Sequence, residues 1–125
     1  MTRPRETRRR LLEFALRLPG AWLDHPWGED VAKVGKKVFV FFGQEDNPEY
    51  PTGMSVKLDD SNAQALAVPG AEPTGYGLAR GGWVTVPFRE TTPPLPVLKD
   101  WVEESYRRVA PKKLMKELEE GTRST

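Results

Sequence analysis

The single histidine of the chain lies in a short segment, residues 24–28 (DHPWG), that is flanked by acidic residues. An imidazole can act as a general base, and the neighbouring carboxylates could orient it. The chain has no cysteine, so a nucleophile would have to come from a remote residue such as Ser55 or Thr85. The alternative is a rigid turn in which Pro26, Trp27 and Gly28 lead into a strand, with His25 at its polar edge. We favour the turn and predict a protein that is not an enzyme.

Two further kinds of site are disfavoured by spacing. One histidine with scattered carboxylates lacks the paired ligand spacing of metal sites such as H-x-x-x-H. The glycine-rich segment 75–82 (GYGLARGG) resembles a phosphate-binding loop, but no Gly-Lys-Ser/Thr follows it. It also precedes a predicted strand, where a dinucleotide-binding motif requires a helix. We therefore predict no metal and no cofactor.

The same segment suggests a contact to nucleic acid. Gly81 and Gly82 permit a tight turn that would present Arg80 beside Trp83. A guanidinium next to an indole can hold a phosphate and stack on a base. The alternative is a hairpin whose Trp83 packs into the core, and both interpretations stay open at this point.

Charge is unevenly distributed, although 19 Lys and Arg nearly balance 18 Asp and Glu. Residues 1–17 carry six arginines against two glutamates, whereas residues 18–98 carry six bases against ten acids. Lys112 and Lys113 add a further basic pair. Such clusters can form a distributed surface that contacts phosphates. The predicted nucleic-acid-binding residues are Arg8, Arg9, Arg10, Lys36, Lys37, Arg80 and Trp83.

Hydrophobic spacing predicts the elements that would position these residues. Both terminal helices are amphipathic, and the clearest hairpin turns at Gly35-Lys36. The predicted elements are a helix at Glu6–Leu18, strands at Val31–Val34, Lys37–Phe42 and Met54–Leu58, a short helix from a Ser61–Gln64 capping box to Val68, a strand at Trp83–Val86, a helix at Leu95–Val109 and a helical tail at Leu114–Leu118. A polar loop is predicted at Gly43–Pro51, and residues 119–125 are predicted to be a flexible tail.

This order of elements predicts an α+β fold, with an antiparallel sheet of about five strands and the N- and C-terminal helices packed on one face. The chain of 125 residues is expected to form a single domain, residues 1–125. The other face of the sheet would stay open. That face could alternatively bind a small molecule or a protein through Trp83, Tyr76 and Trp27. The longest apolar run, Val38–Phe42, is too short to span a bilayer, so we expect a soluble, cytoplasmic protein with no membrane partner.

Residues 18–42 (LPGAWLDHPWGEDVAKVGKKVFVFF), 75–86 (GYGLARGGWVTV) and 95–114 (LPVLKDWVEESYRRVAPKKL) resemble the MmcQ/YjbR-like family, small bacterial proteins often named as DNA-binding. The likeness extends from about residue 6 to residue 118. Its landmarks are Leu18-Pro19-Gly20, Pro26-Trp27-Gly28, Gly75-Tyr76 before Trp83, and Ser105-Tyr106. The resemblance implies a CyaY-like α+β fold and DNA as a partner.

The sequence departs from a common form of the family between the tyrosine and the tryptophan of the later motif. Polar residues, including His and Asn, tend to stand there in the family, and this chain has Gly77, Ala79 and Gly82 instead. A base remains at Arg80. A backbone or cationic contact is therefore retained at this motif, whereas chemistry that needs the histidine is not expected.

Overall fold

The computed structural model describes residues 4–43, 52–75 and 77–124, with the backbone alone for Trp27 and for residues 122–124. These ranges contain four helices and six strands, joined by short 3-10 turns at Pro26–Gly28 and Leu78–Gly81. The elements are α1 (Pro4–Leu16), β1 (Ala21–Asp24), β2 (Asp30–Val34), β3 (Lys37–Gly43), β4 (Gly53–Lys57), α2 (Asn62–Leu66), β5 (Glu72–Pro73), β6 (Trp83–Pro87), α3 (Leu95–Val109) and α4 (Lys112–Ser124). Most of the predicted loop at Gly43–Pro51 lies outside the described residues.

All strands join one antiparallel sheet with the order β1-β2-β3-β4-β6-β5. The predicted α+β fold with an antiparallel sheet is confirmed. The described sheet has six strands rather than about five, because two short strands at its edges were not predicted. β1 has four residues and β5 only two, too few for an alternating pattern to be recognised.

The hairpin of β2 and β3 forms where the sequence predicts it. Gly35 has a φ of +60°, the left-handed conformation that a tight turn needs and that glycine adopts without strain. Within the hairpin, Ala32 pairs with Val40 and Lys33 pairs with Val38, so Phe39 has no partner on β2. Phe39 is therefore the extra residue of a β-bulge at the centre of the sheet.

The helices α1 and α3 pack on one face of the sheet and bury the core between themselves and the strands. Leu11 and Ala15 of α1 are fully buried, as are Val102 and Tyr106 of α3. The ring of Tyr106 meets that of Phe39 edge-on, with centroids 5.3 Å apart. Removal of this apolar surface from water is the main force that holds the helices on the sheet.

Two details of the helices differ from the predictions. The Ser61–Gln64 capping box does not organise α2; the Ser61 hydroxyl donates to Oε1 of Glu104 at 2.8 Å, and the amides of Asp59 and Ser61 donate to Oε2 of the same carboxylate. The last helix, α4, extends to Ser124, beyond the predicted end at Leu118. A carboxylate from α3 thus replaces the local cap that the sequence suggested.

Candidate nucleic-acid interface

The segment around the histidine is a turn between two strands. β1 ends at Asp24, a 3-10 turn occupies Pro26–Gly28, and β2 begins at Asp30. His25 stands at the N-cap position of the turn and is exposed, and its Nδ1 lies 2.7 Å from Oδ1 of Asp30. The backbone amide of His25 donates to Oδ1 of Asp24 at 2.8 Å. The predicted turn is present, but the imidazole pairs with Asp30 and does not cap the turn.

Arg8 lies inside the protein. Its side chain is only 5% exposed, and its guanidinium donates to Oδ2 of Asp30 at 2.6 Å, to the carbonyl of Gly43 at 3.1 Å and to the carbonyl of Phe42 at 3.4 Å. The expectation that Arg8 shares an exposed cationic face with its neighbours is wrong. Arg8 precedes the buried Leu11 by three residues, so it continues the buried stripe of α1.

Arg9 and Arg10 are exposed, but both face glutamates on the same helix. Arg9 contacts Glu6 at 2.6 Å and Glu13 at 2.7 Å, and Arg10 contacts Glu6 at 2.7 Å. The hydrogen bond from Arg9, followed by that from Arg10, lowers the pKa of Glu6 below its ordinary value. These two arginines therefore carry local acidic partners.

The face of the sheet opposite the helices is defined by strand register. Lys57 pairs with Trp83 and Ser55 pairs with Thr85, while the alternate residues of both strands point into the core. Trp83 is only 8% exposed, and its ring packs edge-on against Phe41 with centroids 5.1 Å apart. Trp83 thus lies on the open face rather than in the core beneath the helices, and a neighbouring ring already covers it.

Four cations lie at the same end of the sheet. Antiparallel pairing places the hairpin tip with Lys36 and Lys37, the end of β4 with Lys57, and the turn before β6 with Arg80 at the same end of the sheet. A Cβ built on Gly81 would lie 3.8 Å from Nζ of Lys57, so this ammonium is adjacent to the turn that carries Arg80. We call this set the cationic end.

The cationic end is accessible. Lys36, Lys37 and Arg80 are exposed and Lys57 is half-buried. Within the described ranges none of the four makes an ion pair. Acidic side chains follow β4 at the same end, and one of them, Asp59, lies 3.5 Å from Arg108. The sequence analysis missed Lys57, although the period-two pattern of Met54–Leu58 already placed it on the face away from the core.

Trp22 is an exposed aromatic residue beside the hairpin tip. It lies on β1, pairs with Lys33 and is 43% exposed. Its Nε1 donates to the carbonyl of Gly35 at 3.0 Å, and the ammonium of Lys33 lies 5.1 Å from the centroid of its ring. Asp24 holds that ammonium at 2.9 Å, and this hydrogen bond, together with the one from the amide of His25, lowers the pKa of Asp24.

A family model described as YjbR matches residues 16–108. The chain belongs to the YjbR family. It is also similar to the crystal structure of Deinococcus radiodurans protein DR2400, a DUF419 domain, with a TM-score of 0.72 and 24% identity over 94% of this chain and 91% of the other. This likeness shows the fold and agrees with the predicted α+β architecture, while the family match confirms the predicted family. Among curated proteins no match was found.

Contacts at the sequence landmarks show what holds these segments in place in this YjbR protein. The hydroxyl of Tyr106 donates to the carbonyl of Pro19 at 2.6 Å, and its burial raises the pKa of the phenol. Gly82 has a φ of +90°, and a Cβ there would lie 2.4 Å from the carbonyl oxygen of Leu58. Only glycine fits this turn, which fixes the position of Arg80 beside β4.

Some predicted features of the open face are not described. Tyr76 and the side chain of Trp27, which the alternative small-molecule or protein site would use, lie outside the described residues. In the described ranges, His, Asp and Glu side chains form no group of three that could hold a metal ion. Among the helices of those ranges, none has the length and apolar composition needed to cross a bilayer.

Proposed function

We propose that this YjbR-family protein binds nucleic acid without catalysis, through phosphate contacts at the cationic end. The observation that carries the proposal is the strand register, which brings Lys36, Lys37, Lys57 and Arg80 from three separate segments to one end of the sheet. Lysine and arginine that neutralise phosphates release condensed counterions, which supplies most of the non-specific affinity for nucleic acid. We also propose a cytoplasmic location, because nucleic acids are concentrated there.

The proposed contact set differs from the one that the sequence suggested. Arg8 is excluded because its guanidinium is bonded inside the protein, and Trp83 because its ring is packed against Phe41. Arg9 and Arg10 are secondary because Glu6 and Glu13 would repel an approaching phosphate. They also lie on α1, whose Arg8 touches the C-terminal end of β3, whereas the lysines lie at its N-terminal end.

In this proposal His25 has a structural role rather than a catalytic one. Nδ1 of His25 lies 2.7 Å from one carboxylate oxygen of Asp30, and Arg8 donates to the other. The chain of contacts therefore ties the turn after β1 to helix α1. A histidine held in this way stabilises the corner of the sheet, and the proposal gives it no chemical step.

The experiment is a binding titration of labelled oligonucleotides at low salt. We expect the double variant K36Q/K37Q and the single variant R80Q each to weaken binding several-fold, because each removes contacts to phosphate. The matched control is R89Q, which removes an exposed arginine just beyond the opposite end of β6. Absence of binding at low salt, or an equal loss in the control, would contradict the proposal.

A further inference from the structure

We propose that Trp22 is a stacking platform for an unpaired base, so that the cationic end prefers single-stranded nucleic acid to duplex. This inference rests on the proposed function and adds the class of ligand. Its starting observation is that a tryptophan on the edge strand of the sheet leaves 43% of its surface in water. Large aromatic side chains are usually buried, and an exposed one beside cations is the arrangement that single-strand-binding surfaces use.

The ring of Trp22 is held in place before any ligand arrives. Its Nε1 is bonded to the carbonyl of Gly35, which fixes the side chain against the hairpin. The ammonium of Lys33 lies over the ring, and Asp24 holds that ammonium in turn. A side chain that is already fixed loses little conformational entropy when a base stacks on it.

The two basic groups near the ring have different roles. Lys33 is neutralised by Asp24, so it orients the ring through a cation–π contact and contributes little charge toward a phosphate. Lys36 follows directly after Gly35, the residue to which the indole is bonded, and it is exposed. A base on Trp22 would therefore place its own phosphates near Lys36.

The preference for single strands follows from the geometry of the ligand. In a duplex both faces of each base are covered by the neighbouring bases, so an indole on a protein surface can reach a base face only at an end or a gap. In a single strand a base can turn out and stack on the ring, while its backbone follows the lysines. The same arrangement accepts any base, because every base has a π-face.

The test compares ligands that have equal numbers of phosphates. Fluorescence anisotropy would measure binding to labelled oligo-dT, to an abasic oligomer of the same length and to a duplex with the same total number of phosphates. We expect the duplex to bind more weakly than oligo-dT, and equal or tighter binding of the duplex would overturn the preference for single strands. We expect oligo-dT to bind about tenfold more tightly than the abasic oligomer, and W22A to remove this difference without weakening the abasic complex. K36Q/K37Q should weaken both complexes by the same factor. An oligo-U arm shows whether RNA stacks as well; tighter binding of either dT or U than of the abasic oligomer supports the proposal.

The controls keep the two proposals separable. L66A removes another exposed large apolar side chain of the described residues and should bind oligo-dT as the unchanged protein does. W22F keeps a smaller ring and should retain part of the preference, and thermal melting would verify that each variant is folded. Equal binding of dT, U and abasic oligomers, or equal losses for dT and abasic ligands in W22A, would overturn stacking and leave phosphate binding intact. Absence of binding to every oligonucleotide would overturn both proposals.

Discussion

At the scale of single residues, identical side chains in consecutive positions have opposite environments. Arg8 is buried and bonded to three groups of β2 and β3, whereas Arg9 projects into solvent from the next position of the same helix. The sequence shows an arginine run and suggests one surface. The helical position relative to the buried Leu11 decides which arginine points inward, and the sequence alone indicates that position. The acceptors that compensate for the burial of Arg8 come from residues more than twenty positions away, and a single sequence does not indicate them.

The first prediction concerns this pair of arginines. We expect R8A to lower the free energy of unfolding by about 2–4 kcal/mol, because it leaves the carboxylate of Asp30 and two carbonyls without their partner. R9A should cost less than about 1 kcal/mol, since it removes only exposed ion pairs. Urea unfolding monitored by circular dichroism measures both. Equal effects of the two variants would show that Arg8 is not a structural residue.

The residues of the candidate site were predicted unevenly, for physical reasons. Lys36, Lys37 and Arg80 follow from turn signals, because turns lie at the surface and long charged side chains there stay in water. Lys57 and Trp22 join them only through cross-strand register, which a single sequence does not reveal. The positions of Lys57 and Trp22 relative to the other cations can be inferred only once the order of the strands is known.

At the scale of elements, α3 organises the sheet through one hydroxyl. Ser105 is fully buried; its Oγ accepts from the amide of Lys57 at 2.8 Å and donates to the carbonyl of Phe39 at 2.5 Å. Phe39 is the bulged residue of β3, and the pairing of β3 with β4 includes Val40 and Phe41. The hydroxyl therefore satisfies two backbone groups where the bulge disturbs the ladder.

The second prediction tests this bridge. S105A keeps the small size of the side chain but leaves a buried amide and a buried carbonyl without partners, so we expect a loss of about 2–3 kcal/mol in the free energy of unfolding. The matched control is S61A, whose half-buried hydroxyl contacts only Glu104 and should contribute about 1 kcal/mol or less. Chemical denaturation measures the free energy of unfolding of both variants. If S105A changes it very little, β3 and β4 move together and bond directly.

Elements with a regular hydrophobic period could be predicted from the sequence. Elements that depend on contacts to distant residues could not. The helix at Leu95–Val109 has the residue range that its hydrophobic spacing indicates, because fifteen residues sample the 3.6-residue repeat about four times. β5 has two residues and exists because Glu72 and Pro73 lie beside β6. α2 begins where the carboxylate of Glu104 accepts from the backbone, a cap that comes from a distant part of the chain.

At the scale of the whole molecule, a net charge of +1 conceals separation of charge. Arg8 of α1 is bonded internally and Arg9 and Arg10 are matched by Glu6 and Glu13, while the cationic end lies at the opposite end of β3. Overall charge therefore says little about affinity for a polyanion. The local density of unmatched cations is the relevant quantity, and the fold determines it.

The last prediction concerns how steeply binding weakens with salt concentration. If the four residues of the cationic end each contact a phosphate of a single strand, the logarithm of the association constant should fall with the logarithm of salt concentration with a slope of about −3, or about fifty-fold between 50 and 200 mM salt. Participation of Arg9 and Arg10 would steepen the slope to about −4. K36Q/K37Q should roughly halve it, and R89Q should leave it unchanged. Anisotropy titrations at several salt concentrations measure all three proteins. A slope near zero would remove the phosphate contacts from the account of binding, because released counterions are what make such contacts sensitive to salt.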